Sequence, residues 1–314
     1  MEAGEEQIVT KGRTVVWPNF FIVGAPKCGT TSLYAHLKRH PQVFLPDMKE
    51  PHFFVTDRPP SRDVSRARRL TCVGNQDKYL RLYEAAVGIP AIGDASSTYL
   101  WDPNAAERIR EICPLARIVI CLRDPVVRAH SHFLMNRRIG MESLPTFERA
   151  IQADLTIRDH RFWGGRLYIE FGRYHEQVRR YLETFGRDQI LIVLFDELTK
   201  LPQVVLARVT RHLGIRSLPA EEGELSKAHN PFRMPRFGAM YRFVTHRISP
   251  ELRRRVLPDR LRAWLGNNSV LYSAEKPLLD LPTRKVLQEI YDPDIAALEA
   301  LLARPLPELR ESWV

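Results

Sequence analysis

The sequence predicts a three-layer α/β fold in which helices flank a central, mostly parallel sheet. Two observations predict it. Apolar runs of strand length occur at 19–23, 117–122 and 189–194, and the second of them, RIVICL, is almost uninterrupted. Such runs are typical of strands buried on both faces of a parallel sheet. Segments with helical spacing separate them, which indicates right-handed crossovers between parallel strands.

The predicted elements follow in chain order. The first strand runs into a glycine loop, and a helix over 30–40 begins there because Leu33, Tyr34 and Leu37 have helical spacing and Pro41 stops the pattern. We then predict the following elements: helix 76–86, strand 89–93, helix 105–112, strand 117–122, helix 125–138, helix 174–185, strand 189–194, helix 203–213 and a mostly helical stretch from Pro231 onward.

Composition and charge narrow the class of protein. The 314 residues contain 44% hydrophobic and 27% charged residues, which excludes bulk disorder, and we expect one domain over 19–314 after a polar leader over 1–18. The net charge of +10 suits a polyanionic ligand. The basic residues are scattered and form no stripe interleaved with aromatics, so we expect no nucleic-acid partner.

The cysteines and the N-terminus indicate a location. Cysteines 28, 72, 113 and 121 show no CxxC spacing, which favours free thiols in a reducing compartment. The sequence starts with acidic residues and lacks the basic start and apolar core of a signal peptide. Since no run approaches the roughly 20 apolar residues of a membrane span, we expect a cytoplasmic protein without stable membrane insertion. The oligomeric state stays open.

The loop after the first strand has the chemistry of an anion cradle. A helix N-terminus presents unpaired N–H groups and positive dipole charge, and Gly24 and Gly29 suit a loop that leads into one. Thr30, Thr31 and Ser32 add hydroxyl groups, Lys27 adds a cation, and Cys28 is a further candidate binding residue of the loop. The ATP-binding form GxxxxGK[ST] places its lysine after the second glycine, whereas here the lysine lies inside the loop. A purely structural turn with a solvated lysine is the alternative.

Three segments together resemble a known family. Pro26 to Ser32 (PKCGTTS) resembles the 5′-phosphosulfate-binding loop of sulfotransferases that use 3′-phosphoadenosine-5′-phosphosulfate (PAPS), and Leu122 to His132 (LRDPVVRAHSH) resembles their 3′-phosphate-binding segment. Lys49 to Phe54 (KEPHFF) is similar to the segment with the catalytic glutamate in heparan sulfate sulfotransferases and their bacterial relatives. The resemblance implies a P-loop-like fold, PAPS as donor and adenosine 3′,5′-bisphosphate (PAP) as product.

The resemblance also implies roles for individual residues. Arg123 and Ser131, about two helical turns apart, can converge on one phosphate. Glu50 is the expected general base, because a carboxylate held against Phe53 and Phe54 can have its pKa raised towards neutrality. His52 is the other candidate base, or it orients Glu50. In the alternative reading the two phenylalanines are core residues and Glu50 pairs with a neighbouring lysine.

The sequence departs from the family pattern at two places. Val55 stands where heparan-type relatives often carry aspartate, and Ala95 stands where they tend to carry lysine, which argues against a heparan-like acceptor. Further on, residues 229–236 resemble a mobile loop that closes over PAPS in bacterial members. Arg233 and Arg236 are therefore candidate donor-binding residues.

The predicted function is transfer of a sulfuryl group from PAPS to a hydroxyl of a small-molecule natural product, a glycan or a glycolipid. Lys27 would neutralise the departing phosphate, and no metal is expected because fixed donors meet its charge. One alternative is an ATP-dependent phosphotransferase in which Asp94 or Asp124, each following a predicted strand, holds magnesium. The other is a non-catalytic module that binds a nucleotide or another anion.

Overall fold

The computed structural model describes residues 7–10, 13–55, 73–139, 141–157, 167–217, 233–235, 271–273 and 277–313. Its strands are β1 (Gln7–Thr10), β2 (Arg13–Val16), β3 (Phe20–Gly24), β4 (Val43–Phe44), β5 (Ala91–Ala95), β6 (Arg117–Leu122), β7 (Ile190–Leu194), β8 (Arg233–Pro235) and β9 (Leu271–Ser273). Its α-helices are α1 (Thr30–Leu37), α2 (Gln76–Leu80), α3 (Ala105–Ile112), α4 (Pro125–Arg138), α5 (Phe147–Leu155), α6 (Tyr174–Phe185), α7 (Phe195–Lys200), α8 (Pro202–His212) and α9 (Leu281–Leu302). Short 3₁₀ helices cover Arg81–Ala86, Glu170–Gly172, Arg187–Gln189 and Pro307–Trp313.

The centre of the fold is a parallel sheet of five strands in the order β4-β5-β3-β6-β7. Every residue of β3 is buried, and in β6 only Arg117 is exposed, as the continuous apolar runs predicted. Because the strands are parallel, their carboxyl ends meet at one edge of the sheet, where ligands of such sheets bind. The predicted P-loop-like fold, with a mostly parallel sheet flanked by helices, is confirmed.

The helices pack through apolar stripes that the periodicity predicted. α6 buries Tyr174, Val178, Tyr181 and Phe185, which recur every three or four residues. It packs against α9, whose buried residues include Tyr291 and others at the same spacing. These stripes join the buried strands in one core cluster. The packed helices therefore support the sheet whose edge carries the site.

The structure differs from the predictions at several elements. Residues 7–10 and 13–16, in the predicted polar leader, form the antiparallel strand pair β1–β2, whose β-branched residues favour strands. The predicted helix 76–86 is divided into α2 and a 3₁₀ turn, and β5 lies two residues later than the predicted strand 89–93. Strand β4 and helices α5 and α7 were not predicted. The assignment of 19–314 to one domain stays a prediction.

Candidate active site

The loop between β3 and α1 forms an open anion cradle at the sheet edge. The Ala25 N–H donates to the Cys121 carbonyl at 2.7 Å, which seats the loop on β6. Gly29 has a φ of 86° at the N-cap of α1, contributes no side-chain cap, and is followed by a first turn without acidic residues. The N–H groups of Thr30, Thr31 and Ser32 therefore face outward at the positive end of the helix dipole, as an anion requires.

Lys27 lies at the tip of this loop with its backbone in the left-handed region, at a φ of 71°. Its Nζ lies 3.7 Å from the Met135 sulfur on α4. Burial, followed by the charges of Arg138 and Arg123, lowers the pKa of Lys27 to about 8. A thioether is a weak acceptor, so the ammonium keeps bonding capacity for a phosphate oxygen.

Arg123, in the segment that resembles a 3′-phosphate-binding motif, contacts the loop that carries Lys27. Its Nη1 donates to the Lys27 carbonyl at 3.3 Å, and its guanidinium lies 3.9 Å from the centre of the Phe195 ring. The Tyr174 hydroxyl donates to the Arg123 carbonyl at 2.8 Å, which fixes the backbone. Burial lowers the pKa of Arg123, but a guanidinium stays charged at neutral pH. The cation is therefore pre-oriented beside the cradle.

Ser131 and Arg138 lie on the face of α4 that is turned towards the cradle. Residues 131, 135 and 138 are spaced by four and three along the helix and share one face. Met135 on this face contacts Lys27, so Ser131, one turn earlier, lies on the cradle side. The sequence analysis identified Ser131 but missed Arg138.

Cys28 differs from its neighbours in the loop because its side chain points into the core. The thiol is fully buried, 3.6 Å from the Tyr174 hydroxyl, and burial raises its pKa. Of the predicted cradle residues, Cys28 can therefore offer a ligand only its backbone.

The segment with Glu50 and His52 is held in an unusual backbone conformation. Their φ angles are 62° and 52°, so both occupy the left-handed region that non-glycine residues rarely adopt. With Lys27 and Ala303 they are the non-glycine residues of positive φ in the described chain. All three predicted catalytic residues are thus strained, a feature that clusters at functional sites.

The Glu50 carboxylate is bound on one oxygen. Lys49 Nζ lies 2.6 Å and Ser97 Oγ 2.9 Å from Oε1, whereas Oε2 lies 3.7 Å from His52 Nε2. Burial raises the pKa of Glu50, but Lys49, His52 and the hydrogen bonds outweigh it and lower the pKa to about 2. The expectation of a raised pKa is wrong.

The physical reason lies in the two phenylalanines. Phe53 and Phe54 turn into the core, where they pack on Trp17 and Tyr79. They anchor the segment but leave the Glu50 carboxylate among polar groups. The alternative packing considered for these residues, core phenylalanines and a Lys49–Glu50 pair, is what the structure shows.

Two residues that the sequence analysis missed complete this side of the site. Ser97 donates to Glu50, and Thr98 Oγ1 lies 2.8 Å from Nδ1 of the buried His52. Both belong to the Ser-Ser-Thr cluster directly after β5, and that position at a carboxyl strand end was the available signal. The bond at Nδ1 fixes the ring and turns Nε2 towards Glu50.

The two aspartates considered as magnesium ligands have other partners. Asp94 is fully buried and accepts from the Tyr79, Ser96 and Tyr99 hydroxyls. Asp124 caps α4 through the N–H groups of Val126 and Val127, and its other oxygen accepts from the Ser312 N–H and hydroxyl. Their carboxylates are occupied structurally, which argues against the phosphotransferase.

The remaining predictions concern Arg233, Arg236, a metal ion and a membrane span. Arg233 lies in β8, which pairs with β9, and Arg236 lies outside the described residues. Within the described ranges, no three His, Cys, Asp or Glu side chains are grouped to hold a metal ion. None of the helices in that part of the chain is long and apolar enough to cross a membrane.

Comparisons with known proteins identify the family of the chain. The profile described as "Sulfotransferase family" matches residues 18–219. The chain belongs to the sulfotransferase family. The predicted family relationship is confirmed, and it extends to a crystal structure of a sulfotransferase from Alicyclobacillus acidocaldarius, with 29% identity, a TM-score of 0.73, and coverage of 95% of this chain and 100% of that one.

The curated relatives of this chain are longer proteins. Human carbohydrate sulfotransferase 15 is 27% identical over 79% of this chain and 54% of its own length. The bifunctional heparan sulfate N-deacetylase/N-sulfotransferase 1 of Caenorhabditis briggsae is 25% identical over 65% of this chain and 23% of its own length. The chain thus spans about half of the human relative, and the relationship to heparan-type enzymes is confirmed.

Proposed function

We propose that this sulfotransferase moves a sulfuryl group from PAPS to an acceptor hydroxyl. One observation carries the proposal: Lys27 contacts the segment after β6, since Arg123 Nη1 donates to its carbonyl at 3.3 Å and its Nζ lies 3.7 Å from the Met135 sulfur. The Glu50 carboxylate also lies near enough to favour the charged form of Lys27. The phosphate loop, the segment after β6 and the Glu50 segment therefore share one site. Family membership supports the reaction class.

The residues at this edge fit a donor with two separate phosphate groups. The first turn of α1 and Lys27 would hold the 5′-phosphosulfate, because they combine unpaired N–H groups with a desolvated cation. Arg123 and Ser131 would hold the 3′-phosphate through a guanidinium and a hydroxyl. Arg233 and Arg236 remain proposed donor contacts.

Lys27 and Glu50 have different roles in the transfer. PAPS, when bound, supplies the activated sulfuryl group. Lys27 stabilises the bridging oxygen as its bond to sulfur breaks and the electron pair leaves with PAP. Glu50 accepts the hydroxyl proton on Oε2 while the acceptor oxygen bonds to sulfur. The pKa of Glu50, lowered to about 2, keeps its carboxylate ionised at neutral pH and therefore able to accept a proton.

His52 is the second candidate base. Thr98 occupies Nδ1, so a proton would enter at Nε2, the atom that faces Glu50. Comparison of Glu50→Gln with His52→Asn shows which residue is the base. Replacement of the base should remove most of the turnover, whereas replacement of the residue that orients it should reduce turnover less.

The acceptor class is proposed from the relatives. The names of the curated relatives refer to carbohydrate and heparan sulfate. A glycan or glycolipid hydroxyl is therefore the first acceptor to test, ahead of a small-molecule natural product. Ala95, in place of the usual lysine, argues for a less anionic glycan than heparan sulfate. A cytoplasmic location stays a prediction.

The deciding experiment is calorimetry with PAP and with ATP, followed by transfer from labelled PAPS in the presence of EDTA. We expect tight binding of PAP, weak binding of ATP and EDTA-resistant transfer. Lys27→Ala should abolish transfer with the fold intact by circular dichroism. Preference for ATP would favour the phosphotransferase, and PAP binding without transfer to any acceptor would favour a non-catalytic module.

A further inference from the structure

Asp94 is a fully buried carboxylate at the end of β5 and has an unusual set of partners. The hydroxyls of Tyr79 and Tyr99 donate to its Oδ2 at 2.7 and 2.9 Å, and the Ser96 hydroxyl donates to Oδ1 at 2.7 Å. A buried charge is tolerated when hydrogen bonds replace its water shell. The three hydroxyls provide that replacement.

Two of these hydroxyls also hydrogen-bond to the backbone of the catalytic segment, residues 50–54. Ser96 Oγ accepts from the His52 N–H at 3.1 Å, and the Tyr99 hydroxyl accepts from the Phe54 N–H at 3.4 Å. A hydroxyl that donates to a carboxylate must turn its lone pairs the other way. Asp94 therefore orients both hydroxyls as acceptors for backbone N–H groups on either side of residue 53.

The catalytic segment needs such ties because its backbone is strained. Glu50 and His52 both have positive φ, and such conformations persist only where the surroundings over-determine them. The Glu50 N–H is itself tied to the Ala95 carbonyl at 3.1 Å, one residue beyond Asp94. Ala95 at the end of β5, with Ser96 and Tyr99 shortly after it, thus holds the segment at residues 50, 52 and 54.

We propose that Asp94 is a positioning residue for the transfer reaction, which fixes the segment carrying Glu50 and His52 through Ser96 and Tyr99. The inference rests on the proposed function for its catalytic consequence. Its structural part, the restraint of residues 50–54, stands without that function.

The charge state of Asp94 supports this role. The titratable groups that interact with it are Tyr79, Tyr83, Tyr99, Tyr181 and Glu50. Burial raises the pKa of Asp94 to about 6, and burial raises the pKa of each tyrosine well above its ordinary value. At neutral pH the carboxylate is therefore ionised and the tyrosines are hydroxyl donors, as the network requires.

The test uses Asp94→Asn, which keeps the shape but points an amide donor at hydroxyl donors. Tyr83→Phe is the matched control, because its hydroxyl belongs to the same cluster but donates to Tyr79 at 3.4 Å and not to Asp94. Amide hydrogen exchange on the full chain should accelerate at residues 52 and 54 by at least about tenfold in Asp94→Asn. Tyr83→Phe should leave both amides unchanged.

Kinetics provide the second readout. In Asp94→Asn, kcat should fall on the order of 10²-fold, because a small misplacement of catalytic groups has that effect. PAP affinity should stay unchanged, since the cradle lies on other elements. A fall in PAP affinity equal to the fall in kcat would show general disruption and overturn the proposal.

Two milder variants keep the test decisive if Asp94→Asn does not fold. Ser96→Ala should accelerate exchange at residue 52 alone, and Tyr99→Phe at residue 54 alone. Unchanged exchange at both amides in these variants would overturn the proposal. If the wild-type chain transfers no sulfuryl group, the proposed function fails, whereas the exchange data still decide whether Asp94 restrains the segment.

Discussion

Replacement of Gly29 by alanine would perturb the cradle at its tightest point. Gly29 has a φ of 86°, and a Cβ there would lie 2.9 Å from Leu198 Cδ2 and 3.1 Å from Phe195 Cδ2. Both neighbours belong to α7, which packs beneath the loop. The new methyl group must therefore displace the loop or push the Phe195 ring.

The expected magnitude has two parts. The left-handed backbone costs an L-residue roughly 1–2 kcal/mol, which lowers the free energy of unfolding by that amount. Displacement of Phe195 also removes support from Arg123, whose guanidinium lies 3.9 Å from the ring centre. Such a cation–π contact contributes about 0.5–2 kcal/mol, so we expect PAP affinity to fall by about tenfold.

Gly88→Ala is the control that separates the backbone cost from the effect of the clash with α7. Gly88 has a φ of 80°, and a Cβ there would meet no atom of the described chain within 4 Å. Urea unfolding should show the backbone cost alone in Gly88→Ala and a larger loss of stability in Gly29→Ala, because only the second variant adds the clash with α7. Calorimetry with PAP should show weakened binding in Gly29→Ala alone. Equal PAP affinities in the two variants would refute the argument that the clash with α7 disturbs the donor site.

Three further predictions concern side-chain hydrogen bonds. Ser97→Ala should lower kcat by about three- to tenfold with PAP affinity unchanged, because Glu50 loses a donor at 2.9 Å; steady-state transfer assays measure both. The pKa of Asp94 is raised from 3.8 to about 6 in the folded state, so its stabilisation is complete below pH 3.8 and is lost as pH rises through 6. Relative to Asp94→Asn, the free energy of unfolding of the wild type should fall by about 3 kcal/mol across this range, as urea titrations at several pH values can show, and a flat difference would contradict the shift. Ser312→Ala should lower the free energy of unfolding by about 1 kcal/mol because Asp124 loses a hydroxyl donor at 2.6 Å, and an unchanged urea midpoint would argue against that bond.

The sequence predicts those parts of the fold that depend on local periodicity. Residues 117–122 and 174–185 form β6 and α6 with the predicted bounds, because a buried parallel strand and an amphipathic helix each repeat a pattern within a few residues. The cradle was predictable for the same reason, since Gly24, Lys27 and Gly29 are close in sequence.

The remaining features depend on residues that are distant in the chain. Strand β5 continues to Ala95 because hydroxyls, one of them from Tyr79, make Asp94 compatible with burial, whereas the charge suggested that the strand had ended. The pKa of Glu50 follows partly from Ser97, 47 residues further on. Spacing within a motif carries no information about such partners.

The contact between Asp124 and Ser312 joins residues 188 positions apart. Asp124, the residue after Arg123, caps the helix that begins at Pro125. During synthesis, the three segments that resemble the family, 26–32, 49–54 and 122–132, leave the ribosome long before Ser312 does. The cap next to Arg123 is therefore completed only after translation has passed residue 312 and the Pro307–Trp313 turn has docked. A truncated product would carry every recognisable motif and still lack part of the support for α4.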